Sequence, residues 1–138
     1  MIEFLLQPGS GVSPYLQIVQ QVRQALRLGM LREGDQLPTI KAVVAQLAIN
    51  PNTVLKAYRE LEHEGLVEPR PGAGTFVRRT LADETVTAHE PLRVDLSAWL
   101  DRAIKAGLDD DSIEALFWTT FRTARRETGS VGSKEEMA

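Results

Sequence analysis

Residues 50–65 read Asn50-Pro51-Asn52-Thr53-Val54-Leu55-Lys56-Ala57-Tyr58-Arg59-Glu60-Leu61-Glu62-His63-Glu64-Gly65, and this stretch carries two different faces. Asn50 is a helix N-cap and Pro51 occupies the first helical position, where its missing N–H costs nothing. Val54, Ala57, Tyr58 and Leu61 recur at helical spacing and predict a buried face, and Gly65 closes the helix. Asn52, Leu55, Lys56 and Arg59 recur at i, i+3, i+4 and i+7. At 100° per residue Lys56 lies about 200° from Val54, so this second stripe opposes the first. A helix with Asn, Lys and Arg on its outer face suits the DNA major groove, where Asn pairs with adenine and Arg or Lys reaches guanine acceptors or phosphates. A plain solvated amphipathic face has the same pattern. Asn52 and Thr53 also lie in the first turn, where free backbone N–H groups and the helix dipole attract phosphate. Glu60, Glu62 and Glu64 would repel it, which favours approach along the N-terminal half of the helix.

Upstream, Thr39 is the N-cap of a helix of about two turns with an apolar stripe of Ile40, Val43, Val44 and Leu47. Before it, Ser13-Pro14 starts a longer helix whose stripe is Tyr15, Ile18, Val19, Val22, Ala25 and Leu26, closed by Gly29. Gly34-Asp35 marks the intervening turn. Helix, short helix, tight turn and longer helix is the helix-turn-helix order. Downstream, Leu66–Arg70 and Thr75–Arg78 are short β-prone runs around Pro71-Gly72-Ala73-Gly74, a hairpin in which Pro69 suits only an edge strand. Gly72 and Gly74 let the turn backbone approach a phosphate or groove edge, and Arg70 flanks the tip, although ordinary hairpin turns also use glycine. Three helices and a hairpin make a winged helix-turn-helix.

The 138 residues carry a formal net charge of -3, with 43% hydrophobic and 25% charged residues, ordinary values for a globular protein. The charge is uneven: nine Lys/Arg against seven Asp/Glu in residues 1–80, and seven against twelve in 81–138. A polyanion is therefore expected on the first part. No cysteine is present, which excludes disulfides, thiol nucleophiles and thiolate zinc sites. No apolar run approaches the ~20 residues that cross a bilayer, and the N-terminus lacks a basic secretory n-region. The expected compartment is the cytoplasm. G-x-S-x-G, Walker A, H-E-x-x-H and dinucleotide motifs are all missing, so no enzyme and no cofactor are expected. His63 has no second ligand at a fitting spacing, and Asp109-Asp110-Asp111 lacks the turn glycine and distal Glu of an EF-hand, so no metal site is expected.

Thr80–Glu90 is polar and without periodicity, and Pro91 ends it. The expected organisation is a winged helix-turn-helix domain over 1–80, a linker over 81–91, two helices over 92–127 and a flexible tail over 128–138. The fold class is mainly α, with α+β character from the hairpin. Val94, Leu96, Trp99, Leu100, Ala103 and Ile104 form one stripe of the last segment, and Ile113, Leu116, Phe117, Thr120, Phe121 and Ala124 the other. Trp118 points about 100° from Phe117 and widens that face. Two such helices bury too little surface alone. Leu96, Trp99, Leu100, Ile104, Ile113, Leu116, Phe117, Trp118 and Phe121 are therefore expected to pair with a second copy in a homodimer. The alternative is a monomer in which the aromatics fold back onto the first helix.

Over residues 13–78 the chain resembles the N-terminal domain of the GntR family of bacterial transcription regulators. The matching blocks are Ser13–Ile18, Gly34–Thr39, Asn50–Val54, Tyr58–Val67 and Gly72–Val77. Asn50-Pro51-Asn52-Thr53 and the short C-terminal part resemble the YtrA-like subfamily. The resemblance implies a winged-helix dimer with a two-helix appendage, often a repressor of its own operon and of neighbouring ABC-transporter genes. It implies DNA contacts from Lys41, Asn50, Asn52, Thr53, Gly72 and Gly74, and a palindromic double-stranded operator as partner. With the outer stripe and the wing, the expected DNA-binding set is Thr39, Lys41, Asn50, Asn52, Thr53, Lys56, Tyr58, Arg59, Arg70, Gly72, Gly74 and Thr75. Pro51 stands where many members carry an arginine that reaches base edges, and Leu55 replaces a frequently basic residue. Any small-molecule effector is unknown: the expectation is none, or one bound at a dimer interface. Two other readings stay open, a winged-helix protein-interaction module and a small-ligand sensor.

Overall fold

The computed structural model describes residues 2–137, with side chains over 2–129. The element order is α1 (Pro14–Arg27), α2 (Ile40–Leu47), α3 (Pro51–His63), β1 (Val67–Arg70), β2 (Gly74–Val77), α4 (Val86–Lys105) and α5 (Asp110–Met137). The chain divides into two compact units, Met1–His89 and Glu90–Ala138.

The first unit is a winged helix-turn-helix. Ile18, Val19, Val22, Ala25 and Leu26 of α1 meet Val54, Ala57 and Leu61 of α3 and Val43 of α2 in one core, with Leu37, Leu66, Val67 and Val77. Pro14 and Pro51 sit in the first helical turns as expected, and the Thr39 and Asn50 side chains cap α2 and α3. Ser13 occupies the N-cap of α1 without a side-chain capping bond. Gly29 and Gly65 follow the ends of α1 and α3 with φ of 73° and 77°. The tight turn after α2 uses Ala48 in the left-handed region, φ 52°, a conformation that a non-glycine residue adopts at a cost.

The wing is an antiparallel hairpin with Val67 opposite Val77 and Arg70 opposite Gly74. The Ala73 N–H donates to the Arg70 carbonyl (2.9 Å), and Pro71 followed by Gly72 at φ 74° makes a type II turn. Gln36 bridges to Phe76 on the outer side of β2. That leaves β1 as an edge, where Pro69 loses no ladder bond.

The N-terminal arm has a structural role that periodicity does not reveal. Phe4 is fully buried. Gln21 accepts from the Leu5 N–H (3.0 Å) and donates to the Leu5 carbonyl (2.6 Å). Gln17 accepts from the Gln7 N–H (2.8 Å) and donates to the Val12 carbonyl (2.8 Å). Two glutamines one helical turn apart thus replace a neighbouring strand and fasten the arm to α1.

The helix bounds differ from two expected boundaries. The linker read over 81–91 is helical from Val86. Asp83 accepts from the Thr85 N–H (2.8 Å) and hydroxyl (2.5 Å), and Pro91 lies inside α4, in its second turn, where its missing N–H costs one intrahelical bond and the helix continues. The tail read from residue 128 as flexible falls within α5, which runs to Met137 with no proline to stop it. Ala138 lies outside the described residues.

In the second unit, Asp109 caps α5 through the Ser112 N–H (2.8 Å), and that hydrogen bonding holds its carboxyl below the usual range. Leu96 and Trp99 of α4 and Leu116, Phe117, Thr120, Phe121 and Ala124 of α5 line an open apolar groove of about 270 Å³. Phe117, Trp118 and Phe121 form one aromatic cluster, with centroids 5.3 to 5.9 Å apart. Among the described residues, no helix is long and apolar enough to cross a membrane, and no group of three His, Asp or Glu side chains could hold a metal ion.

Candidate nucleic-acid interface

Helix α3 presents the two faces its sequence predicts. Val54, Ala57, Tyr58 and Leu61 are buried, whereas Asn52, Lys56 and Arg59 are exposed and Thr53 and Leu55 half-buried. The driving force is the burial of the first set against α1 and α2, worth about 1.5–3 kcal/mol for each large apolar side chain. That burial fixes the rotation of α3 about its axis, so the polar set faces outward.

Tyr58 is a correction to the expected DNA contacts. Its side chain is 4% exposed, and its hydroxyl donates to the Pro38 carbonyl at 2.5 Å. Desolvation pushes the phenol above its ordinary range, so it stays neutral. Tyr58 ties α3 to the residue before the N-cap of α2 and has no path to a phosphate or a base.

Two expected contacts also do structural work. The Asn50 Oδ1 accepts from the Asn52 N–H at 2.8 Å, which leaves its NH₂ group as the free donor. The Thr39 Oγ1 accepts from the Ala42 N–H at 3.1 Å. Lys41 is exposed in the first turn of α2.

Lys56 lies with its Nζ 3.9 Å from the centre of the Tyr15 ring, a cation–π contact. Tyr15, not counted among the expected site residues, therefore sets where the ammonium sits. Ser13, Pro14 and Tyr15 from the start of α1, with Asn50, Asn52, Thr53 and Lys56 from the start of α3, line one shallow depression. Two positive helix ends and a lysine thus share one surface. Tyr15 precedes Lys56 by 41 positions, and only the packing of α1 on α3 joins them.

At the wing, Gln36 is a second residue missing from the expected set. Its Nε2 donates to the Ala73 carbonyl at 3.0 Å, and the Leu37 N–H donates to the Thr75 carbonyl at 2.8 Å. Thr75 is thus held by its backbone, opposite Pro69. Gly74 has φ 123°, and a Cβ there would come 2.6 Å from the Gln36 Nε2. Gly72 faces open space and is exposed at the tip. Arg70 is exposed, stacks on Phe76 with 4.2 Å from guanidinium carbon to ring centre, and donates to Glu68 at 3.2 Å.

Residues 14–77 match the family described as "Bacterial regulatory proteins, gntR family". The chain is 40% identical over 72 residues to the HTH-type transcriptional repressor YtrA of Bacillus subtilis (strain 168), covering 52% of this chain and 55% of that protein. It spans about half the length of the curated relatives it matches. Among solved structures, it resembles YtrA from Sulfolobus acidocaldarius, a GntR-family transcription factor. That match has a TM-score of 0.51 and 28% identity, covering 71% of this chain and 97% of that one. It also resembles a transcriptional antiterminator from Listeria monocytogenes EGD-e, with a TM-score of 0.52 and 28% identity over 86% of this chain and 90% of that one.

Proposed function

We propose, from the match of residues 14–77 to the gntR family of bacterial regulatory proteins, that the chain is a cytoplasmic repressor that binds a palindromic operator as a homodimer. One observation carries the reading. Asn52, Lys56 and Arg59 stand exposed on α3, opposite a buried face that fixes their direction. Asn52, in the first turn, is the candidate for a bidentate pair with adenine. Arg59, two turns further along the same face, is suited to guanine or phosphate. Lys56, held over Tyr15 beside two helix N-termini, is suited to phosphate. Thr39 and Lys41 belong to the start of α2, the free amide of Asn50 to the start of α3, and Arg70, Gly72, Gly74 and Thr75 to the wing.

One winged domain reads only a few base pairs, so a palindrome with half-sites ~34 Å apart requires two copies. The exposed apolar faces of the second unit support that pairing. Trp118 is 51% exposed and Phe117 39%, and Leu96, Ile104, Leu116 and Phe121 are also open to solvent. Trp99, Leu100 and Ile113 are half-buried beside them. A second copy is the proposed cover. The 40% identity to a repressor supports repression, and the resemblance to the YtrA-like subfamily supports the protein's own operon and neighbouring transporter genes as the proposed targets.

Selection from a random duplex library, followed by gel shift on the selected sequence and on the protein's own promoter, tests this. A palindromic selected site present in that promoter is the expected result. Asn52→Ala should then weaken binding by about 1–3 kcal/mol and relax discrimination at one base position. Recovery of no sequence preference, or no duplex binding, would overturn the reading in favour of a protein-interaction module.

A further inference from the structure

Glu68 and Arg70 lie two apart on β1, so their side chains leave the hairpin on the same face. Phe76, opposite Glu68 in the register, is their neighbour on β2. The Arg70 guanidinium is flanked by these two partners. Its Nη2 and Nε donate to the Glu68 Oε1 at 3.2 and 3.4 Å, and its carbon stands 4.2 Å from the centre of the Phe76 ring. Both side chains of the ion pair remain about half exposed, so the pair is open to competition from solvent and from other anions.

Arg70 is also the first residue of the type II turn that forms the wing tip. A guanidinium there can swing toward the tip or lie back along the strands. The carboxylate of Glu68 and the ring of Phe76 select the second position. We infer that Glu68 is an electrostatic restraint on the wing, a carboxylate that holds Arg70 back from DNA and sets how strongly the wing engages a duplex.

The inference rests on the reading of the wing as a DNA-facing element. A duplex phosphate and the Glu68 carboxylate compete for the same guanidinium, so each molecule of DNA bound through Arg70 must break the pair. Exposed pairs of this kind are weak, and their removal is worth a few-fold in an equilibrium. Phe76 keeps the arginine ordered without neutralising it, so loss of the carboxylate leaves a positioned, unpaired cation beside the tip.

The test is a double-mutant cycle on the full chain, with fluorescence anisotropy on a labelled random-sequence DNA duplex at several salt concentrations. Wild type, Glu68→Gln, Arg70→Ala and the double variant are compared, with circular dichroism melts showing that all four are folded. Glu68→Gln is expected to tighten binding about two- to fivefold and to steepen the salt dependence. In the Arg70→Ala background the same change is expected to give no gain. Equal affinities of Glu68→Gln and wild type would overturn the inference. An undiminished gain in the Arg70→Ala background would also overturn it, since the carboxylate would then act by general repulsion of DNA. Binding of no duplex by the wild type would overturn the DNA-facing reading itself, a result distinct from either.

Discussion

Lys56 and Tyr58 stand two positions apart on α3, yet one faces solvent and the other is sealed in the core. The Tyr58 hydroxyl satisfies the buried Pro38 carbonyl. Tyr58→Phe should leave that acceptor unpaired and destabilise the domain by about 1–3 kcal/mol, measured by urea denaturation. DNA affinity of the folded fraction should not change. Burial raises the phenol's pKa in the folded state. The contribution of neutral Tyr58 is therefore intact below the unfolded value near 10, and is lost as pH rises above that value toward the raised folded one. Wild type should lose stability in that alkaline window, and Tyr58→Phe should lose less. Ala48 is the second decisive residue. Its φ of 52° is imposed by the tight turn between α2 and α3. Ala48→Gly should relieve about 1 kcal/mol of strain, partly offset by the freer unfolded chain, and a small rise in melting temperature would check it. Nothing in the local sequence around Ala48 announces the left-handed conformation.

At the level of elements, the start of α3 combines a capping role with a binding role, and one substitution separates them. Asn50→Asp retains a side-chain acceptor for the Asn52 N–H and adds favourable negative charge at the helix N-terminus. Stability should hold or rise slightly in a thermal melt. DNA affinity should fall, because the free amide donor becomes a carboxylate facing phosphates. Asn50→Ala instead loses the cap, at about 0.5–2 kcal/mol. The wing has a comparable internal support. Gly74 adopts φ 123° against the Gln36 side chain, whose amide holds the Ala73 carbonyl. Gly74→Ala should cost about 1–3 kcal/mol, mainly from the backbone conformation, since the long Gln36 side chain can move aside. Amide exchange at Ala73 and Thr75 should accelerate in that variant. The hairpin itself was legible from the Pro71-Gly72 turn and the flanking β-prone runs. Gln36 was not, because it lies on the loop between α1 and α2 and reaches the wing only through the tertiary fold.

For the whole molecule, the two units pose different physical problems. Residues 1–89 enclose a core of their own, with Leu81 packed against it and the Thr80 hydroxyl donating to the Leu26 carbonyl (3.4 Å). A truncation after His89 should therefore stay folded, whereas one after Arg79 removes Leu81 from the core and should be less stable. Sedimentation equilibrium should give a dimer for the full 15.3 kDa chain and a monomer for the truncation after His89. Phe117→Ser with Trp118→Ser should shift the full chain toward monomer and weaken operator binding. A full chain that remains monomeric at micromolar concentration would remove the dimer from the proposal.

The sequence alone determined the helix-turn-helix and the wing, because caps, apolar periodicity and turn residues act over a few positions and agree with one another. It also determined which face of α3 is polar, since a helix has only one rotation that buries Val54, Ala57 and Leu61 together. Its periodicity places Tyr58 on the buried face, which conflicts with a DNA contact, and the bond of its hydroxyl to the Pro38 carbonyl 20 residues upstream decides for the core. The helical start at Val86 was hidden, because polar capping residues look the same in a linker and at a helix end. Tertiary structure decided the placement of Lys56 over Tyr15, the support of the wing by Gln36 and the clamping of the N-terminal arm by Gln17 and Gln21. Each of these joins segments that are distant along the chain, and their geometry exists only once the apolar faces have packed.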